Sequence, residues 1–326
     1  YMVVDPRHDH SFRIPRPDLS AELGTPNACN RCHADRDAAW AAAQVKRWYK
    51  TPATGYQRFA DALSAGREGD TKAGRMLAEQ INSTETPNIA RASAISLLPN
   101  YLDQATFNLV QDGLKDDNAM VRMASVAALE RLQPDLLVRL VFPLLDDPVR
   151  TVRIEAARVL APVPVGQLQG EQLSIYNRAS EEYIASQTTN AERPEAQLNL
   201  ANYYVARGEA AKAEAALKKS IELEDIFMPA YINLADFYRI QGEDTKAYKV
   251  LSQAKQIAPD NADVRHALGL VMVRQNKTEQ AVEELEAAAR LDKDNARYIY
   301  VYAVALNSTG KPQEAIEQLQ IAHDRF

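Results

Sequence analysis

Glycine is scarce, at 12 of 326 residues, while Ala, Leu, Glu and Gln are plentiful. That balance leans away from sheets and toward helices. No apolar run approaches the roughly 18 residues a membrane span needs, and mean hydropathy is −0.38. A basic surplus is missing as well: 38 Lys and Arg stand against 44 Asp and Glu, a net charge of −6. This argues against a general nucleic-acid binder. No Gly-rich phosphate loop and no Ser-His-Asp order can be argued, so no hydrolytic centre emerges. No signal-peptide pattern is present, and position 1 is Tyr. The chain reads as processed or truncated, with more protein upstream. What remains is ordinary globular composition, 46% hydrophobic and 25% charged, at a length that allows about two domains.

Most of the chain repeats. Gly208, Gly242, Asn276 and Gly310 recur every 34 residues, as do Ala213, Ala247, Ala281 and Ala315. Leu200, Leu234, Leu268 and Tyr302 keep step, each followed by a small residue. Small residues let paired helices approach closely, and Gly or Asn ends the first helix in a left-handed turn. The pattern resembles four tetratricopeptide repeats over about 194–326, within a segment 166–326. A second period, near 31, links residues 89–98, 120–132 and 151–160, with Arg91, Arg122 and Arg153 in register. Asp116–Asp117 and Asp146–Asp147 precede two copies, where Asp can cap a helix. These resemble HEAT-type helical pairs over 51–165, with an earlier pair near 56–65 and 71–81. The expected fold is all-α: an irregular N-terminal segment, then a continuous α-solenoid.

Residues 1–50 differ. They hold both cysteines, three of the five histidines and a local charge of +2. Cys29-Asn30-Arg31-Cys32-His33 is the sharp motif, with the spacing of c-type haem attachment. Two thiols in this spacing match the separation of the haem vinyl groups, and His33 then serves as an axial iron ligand. His10 is the favoured sixth ligand, His8 a weaker alternative and Met2 weaker still. Arg7, Arg13, Arg16, Arg31 and Arg36 are suited to propionates or to a basic loop surface. Two rival readings stay open: a redox-active CxxC, which needs an α/β context, and zinc on Cys29, Cys32 and two of His8, His10 and His33.

The run from DHSFRIPRPDLS to TPNACNRCH resembles the last haem segment of multihaem c-type cytochromes that carry tetratricopeptide repeats. The likeness covers about residues 3–45 and matches His10, Cys29, Cys32 and His33; His8 falls outside the pattern. It implies at least one haem c, and more if an upstream domain exists. It also implies electron transfer in the periplasm or at the cell surface. A redox partner or further cytochrome subunits are expected, with a homo-oligomer or polymer possible in principle. The alternatives are part of a multihaem oxidoreductase of small nitrogen compounds, or a non-redox repeat scaffold whose CxxC holds zinc or a disulfide. An electron carrier is expected over an enzyme.

The concave face of the tetratricopeptide array is predicted to carry Leu198, Asn202, Ile232, Asp236, Arg239, His266, Leu270, Arg274, Tyr300 and Asn307. That mixture suits a peptide or protein surface. His266 and His323 read as surface or groove residues, and Leu319 and Ile321 as apolar side chains needing cover at the last repeat.

Overall fold

The computed structural model describes residues 14–49 and 57–325. Among these, every regular element is a helix, as the low glycine content leads one to expect. Contacts cluster into two units, Tyr1–Val159 and Leu160–Phe326.

The first unit opens with α1 (Pro17–Leu23), α2 (Cys29–Cys32) and α3 (Ala38–Tyr49). Pro17 starts α1, where a missing N–H costs nothing, and Gly24 ends it at φ 67°. The helical repeats follow as α4 (Ala60–Glu68), α5 (Ala73–Asn82), α6 (Asn88–Leu97), α7 (Gln104–Gly113), α8 (Ala119–Ala128), α9 (Pro134–Val141) and α10 (Arg150–Val159). The three similar segments become α6, α8 and α10, which pack side by side. Their apolar stripes are buried: Ala94 and Ile95, Val121 and Ala124, Val152 and Ala156.

The in-register arginines tie successive copies together. Arg91 Nη2 donates to Asp116 Oδ2 at 2.5 Å. Arg122 forks onto Asp147, at 2.7 Å from Nε and 2.9 Å from Nη2. Arg122 and Arg153 also donate to the backbone oxygens of Asp116 and Asp147, at 2.8 and 2.7 Å. This corrects the expected capping role of the Asp pairs. The cap of α8 is Asn118, whose Oδ1 accepts from the Met120 N–H. Asp116 and Asp147 instead accept from backbone N–H groups two residues ahead, those of Asn118 and Val149, both at 2.8 Å. Short turns of this kind aim their free oxygens at the arginine of the preceding copy.

The second unit holds α11 (Glu171–Thr188), α12 (Pro194–Ala206), α13 (Ala210–Leu223), α14 (Met228–Ile240), α15 (Asp244–Ile257), α16 (Ala262–Arg274), α17 (Thr278–Leu291), α18 (Ala296–Ser308) and α19 (Pro312–Arg325). From α12 onward the helices form pairs joined by three-residue turns. Each turn contains a left-handed residue: Gly208 at φ 71°, Gly242 at 77°, Asn276 at 58° and Gly310 at 78°. Pro194 and Pro312 stand at the first helical position, a place proline tolerates. The small residues in register (Ala201, Ala235, Gly269 and Ala303) are buried where the paired helices touch. Leu217, Leu251 and Leu285 are buried in step, but Leu319 is 41% exposed. It lies on α19, which no further repeat covers among the described residues.

Candidate functional site

The cysteine segment is a single tied turn. Cys29 and Cys32 bound the four-residue helix α2, so both thiols leave one face, three residues apart. Asn27 Oδ1 accepts from the Asn30 N–H at 3.2 Å, and Asn30 Nδ2 donates to Arg36 O at 2.7 Å. The His33 N–H closes the turn on Cys29 O at 3.0 Å. Its ring packs on Trp40 at 4.8 Å, and the Arg36 guanidinium lies 5.9 Å from the Trp40 ring. Cys29 is half-buried, Cys32 and His33 are exposed, and both cysteines are free thiols. A cleft of about 600 Å³ adjoins the segment, lined by Leu19, Leu23, Pro26, Phe59 and Leu63. Arg16, also on its wall, forks onto Asp18 at 2.8–3.0 Å. His8, His10, Met2, Arg7 and Arg13 lie outside the described residues. Trp48 is 67% exposed.

The second site is a groove across the tetratricopeptide unit. Its cleft, about 650 Å³, is formed by α14, α16 and the start of α18. Six of the ten predicted concave residues line it: Ile232, Asp236, Arg239, His266, Leu270 and Arg274. Leu198 is packed against the core, while Asn202, Tyr300 and Asn307 are exposed away from the cleft lining. Most charges inside are paired. Arg239 meets Asp236 at 3.0 Å, Arg274 meets Asp244 at 2.9 Å, and the Tyr298 hydroxyl donates to Asp263. His266 lines the groove, as expected, but more deeply than a surface residue would. It is 6% exposed and stacks on Tyr298 with ring centroids 4.5 Å apart. His323 is exposed, as expected.

Asp263, Arg297 and Tyr298 also line the cleft, and sequence reasoning did not select them. The signal was present. Asp263 and Arg297 are 34 residues apart, at the same register as Pro229, another lining residue.

Residues 74–161 match the HEAT-repeat family, and residues 198–262 and 266–325 match the tetratricopeptide repeat family. The chain carries HEAT and tetratricopeptide repeats. None of the curated proteins matches it. Among solved structures it is similar to a crystal structure of MamA at 20% identity, with a TM-score of 0.39, over 48% of this chain and 95% of that one. A second MamA crystal structure gives 18% identity and 0.39, over 59% and 92%. MamA from residue 41 onward, of Desulfovibrio magneticus RS-1, gives 15% and 0.37, over 59% and 93%.

These findings correct the expected electron-transfer role, and the cytochrome, haem and iron character that went with it. The matched families are helical repeats, a fold whose work is binding proteins. Among the described residues, no three His, Cys, Asp or Glu side chains gather to hold a metal ion. The zinc alternative draws also on His8 and His10, which lie outside the described residues. No strand adjoins the thiols among the described residues, so the α/β setting of a redox CxxC is missing. The surviving expectation is the non-redox repeat scaffold. No helix among the described residues is long and apolar enough to cross a membrane.

Proposed function

We propose that the chain is a docking scaffold whose tetratricopeptide groove receives an extended segment of a partner protein. One observation carries this: the cleft of about 650 Å³ across three successive first helices of the repeats, lined by apolar Ile232, Leu270 and Val271 together with charged Asp236, Arg239 and Arg274. Clefts of this size and lining accept side chains of a bound ligand. Solenoid repeats present such concave surfaces because each unit buries only its faces toward its neighbours and leaves the inner face open. The redox partner and the cytochrome subunits fall away with the electron-transfer role; the partner is a protein of other kind. A Leu270→Lys variant places a charge on the cleft wall. Peptides selected on the whole chain should lose binding to it while circular dichroism stays helical. Unchanged binding by the folded variant would place docking elsewhere.

The cofactor is a separate matter. Haem c on Cys29 and Cys32, with His33 and His10 as ligands and a periplasmic or extracellular address, rests on the CNRCH spacing. Two thiols on one helical face, next to a cleft of mixed polar and apolar lining that Asn27 and Ala28 border, are compatible with a thioether-linked ring. No role in electron transfer is attached to it. Intact mass with alkylation decides: added haem mass and no alkylated thiols support it, and an unmodified chain with two alkylated thiols removes it.

A further inference from the structure

The 34-residue register shows what each face of a tetratricopeptide repeat is built to touch. On α17, Val282 and Leu285 pack with Val301 and Tyr302 of α18. One period later the same positions on α19 are Ile316 and Leu319, and both are exposed, Ile316 at 59%. On α16, His266 lies under Tyr298 of α18 and Leu270 lines the cleft beside it. One period later these positions on α18 are Tyr300 and Val304, exposed at 58% and 47%. Five of the second unit's ten exposed large apolar side chains fall on α18 and α19, among the described residues. None falls on α11, the unit's first helix, so a copy stacked head to tail meets no matching face there. The polar side chains along the α18–α19 face are amides: Gln313 and Gln320 on α19, and Asn307 on α18, all exposed. Helix phase turns Glu314, Glu317 and Asp324 away from the stripe of Ile316, Leu319 and His323. Arg297, at the edge, shares the neighbouring cleft with Asp263.

We propose that this face of α18 and α19 binds a second copy of the same chain. Two helical pairs meet about a two-fold axis, with α19 antiparallel to its counterpart. The inference goes beyond groove docking and does not depend on it. Burial of Tyr300, Val304, Ile316 and Leu319 from both copies supplies the driving force. A helical hairpin with one open apolar face is half of a four-helix bundle, and a second hairpin completes it. The polar groups select the occupant. An amide carries both a donor and an acceptor, so each Gln or Asn finds its complement in another copy's amide. A charged amphipathic helix finds no row of counter-charges there. The chain carries a net charge of −6, and copies of like sign approach most readily where carboxylates are absent. Antiparallel placement also sets the N-terminal end of each α19 beside the C-terminal end of the other, which the helix dipoles favour. A two-fold contact uses the same patch on both copies and closes at a dimer.

Sedimentation equilibrium of the whole chain provides the test. The mass should rise with concentration from 36.3 kDa toward twice that value and stop there. Leu319→Glu puts a carboxylate into the contact from each copy and should weaken self-association at least about tenfold. Its circular dichroism should not change, because the position is exposed in the single chain. Ile226→Glu, in the turn between α13 and α14, should leave self-association as it is. Gln320→Lys and Gln320→Glu should each weaken the dimer, and an equal mixture of the two should restore it, since opposite charges then face each other across the axis. A mass of one chain up to about 1 mM, or a dimer that Leu319→Glu leaves intact, overturns the proposal. Growth past two copies, or a mixture that fails to recover, overturns the two-fold arrangement. A single chain whose residues 296–325 are protected from hydrogen exchange only by a selected helical peptide gives the face to another protein and overturns the second copy.

Discussion

At His266, burial and the nearby Arg297 charge both disfavour protonation, and Asp263 opposes them only in part. The imidazole is held below its ordinary value of 6.5. The linkage has a definite sign. Above about pH 6.5 both states are neutral and the group contributes no pH dependence. Below it the unfolded chain takes up a proton that the folded chain refuses, so stability falls as pH drops. His266→Phe should flatten that decline and add about 1 kcal/mol, since two unpaired nitrogens give way to carbon. Urea unfolding at pH 7.5 and pH 5 measures both effects; equal pH slopes in the two proteins would contradict the assignment. At Asp147 the balance runs the other way. Burial pushes its carboxyl up, but the Arg122 fork and the Val149 N–H outweigh that and hold it below the usual carboxylate value. Its contribution is present above about pH 4 and is lost as pH falls through the lowered value. Their side chains are 11% and 4% exposed. Asp147→Asn leaves a nearly buried guanidinium without its counter-charge and should cost about 3 kcal/mol, read as a lowered urea midpoint. A loss well under 1 kcal/mol would show that the rung is merely decorative.

Among the elements, two glycines illustrate different needs. At Gly242, φ is 77° and an added Cβ would meet nothing within 4 Å. Its requirement is the left-handed turn alone, so Gly242→Ala should cost about 1 kcal/mol. At Gly269 an added Cβ would stand 2.7 Å from Leu285 Cγ and 3.3 Å from Ala281 O. Its requirement is the close approach of α16 and α17, and Gly269→Ala should cost about 1–3 kcal/mol through overpacking. Thermal melts of both variants check the order; a smaller loss at Gly269 would contradict it. Both roles were legible in the 34-residue register, because turn and contact recur at fixed steps. The arginine rungs were legible only as spacing. Arg91 and Arg122 each reach an Asp 25 residues ahead, and a partner in the next copy cannot be seen until the copies are stacked. The Asp pairs were read as caps for the same reason: a cap is local, and a rung is not.

For the whole molecule, the solenoid was readable because periodic burial repeats across residues 194–326, while the working face was readable only in part. Ile232, Asp236, Arg239, His266, Leu270 and Arg274 follow from helix phase, and they do line the cleft. Arg297 and Tyr298 belong to the next repeat's first turn, so their membership depends on how α16 and α18 sit together. The burial of His266 under Tyr298 is a tertiary fact of the same kind. The cysteine turn misled in another way. A spacing such as CNRCH speaks to what two thiols can hold, and it says nothing of what the helical repeats of residues 74–325 are for. The most direct measurement is hydrogen exchange of the whole chain with and without a peptide selected on it. Slowed exchange at residues 228–240, 262–274 and 296–308, with residues 60–159 unchanged, is the predicted result. Protection confined to the first unit, or none anywhere, would contradict a groove that docks a protein segment.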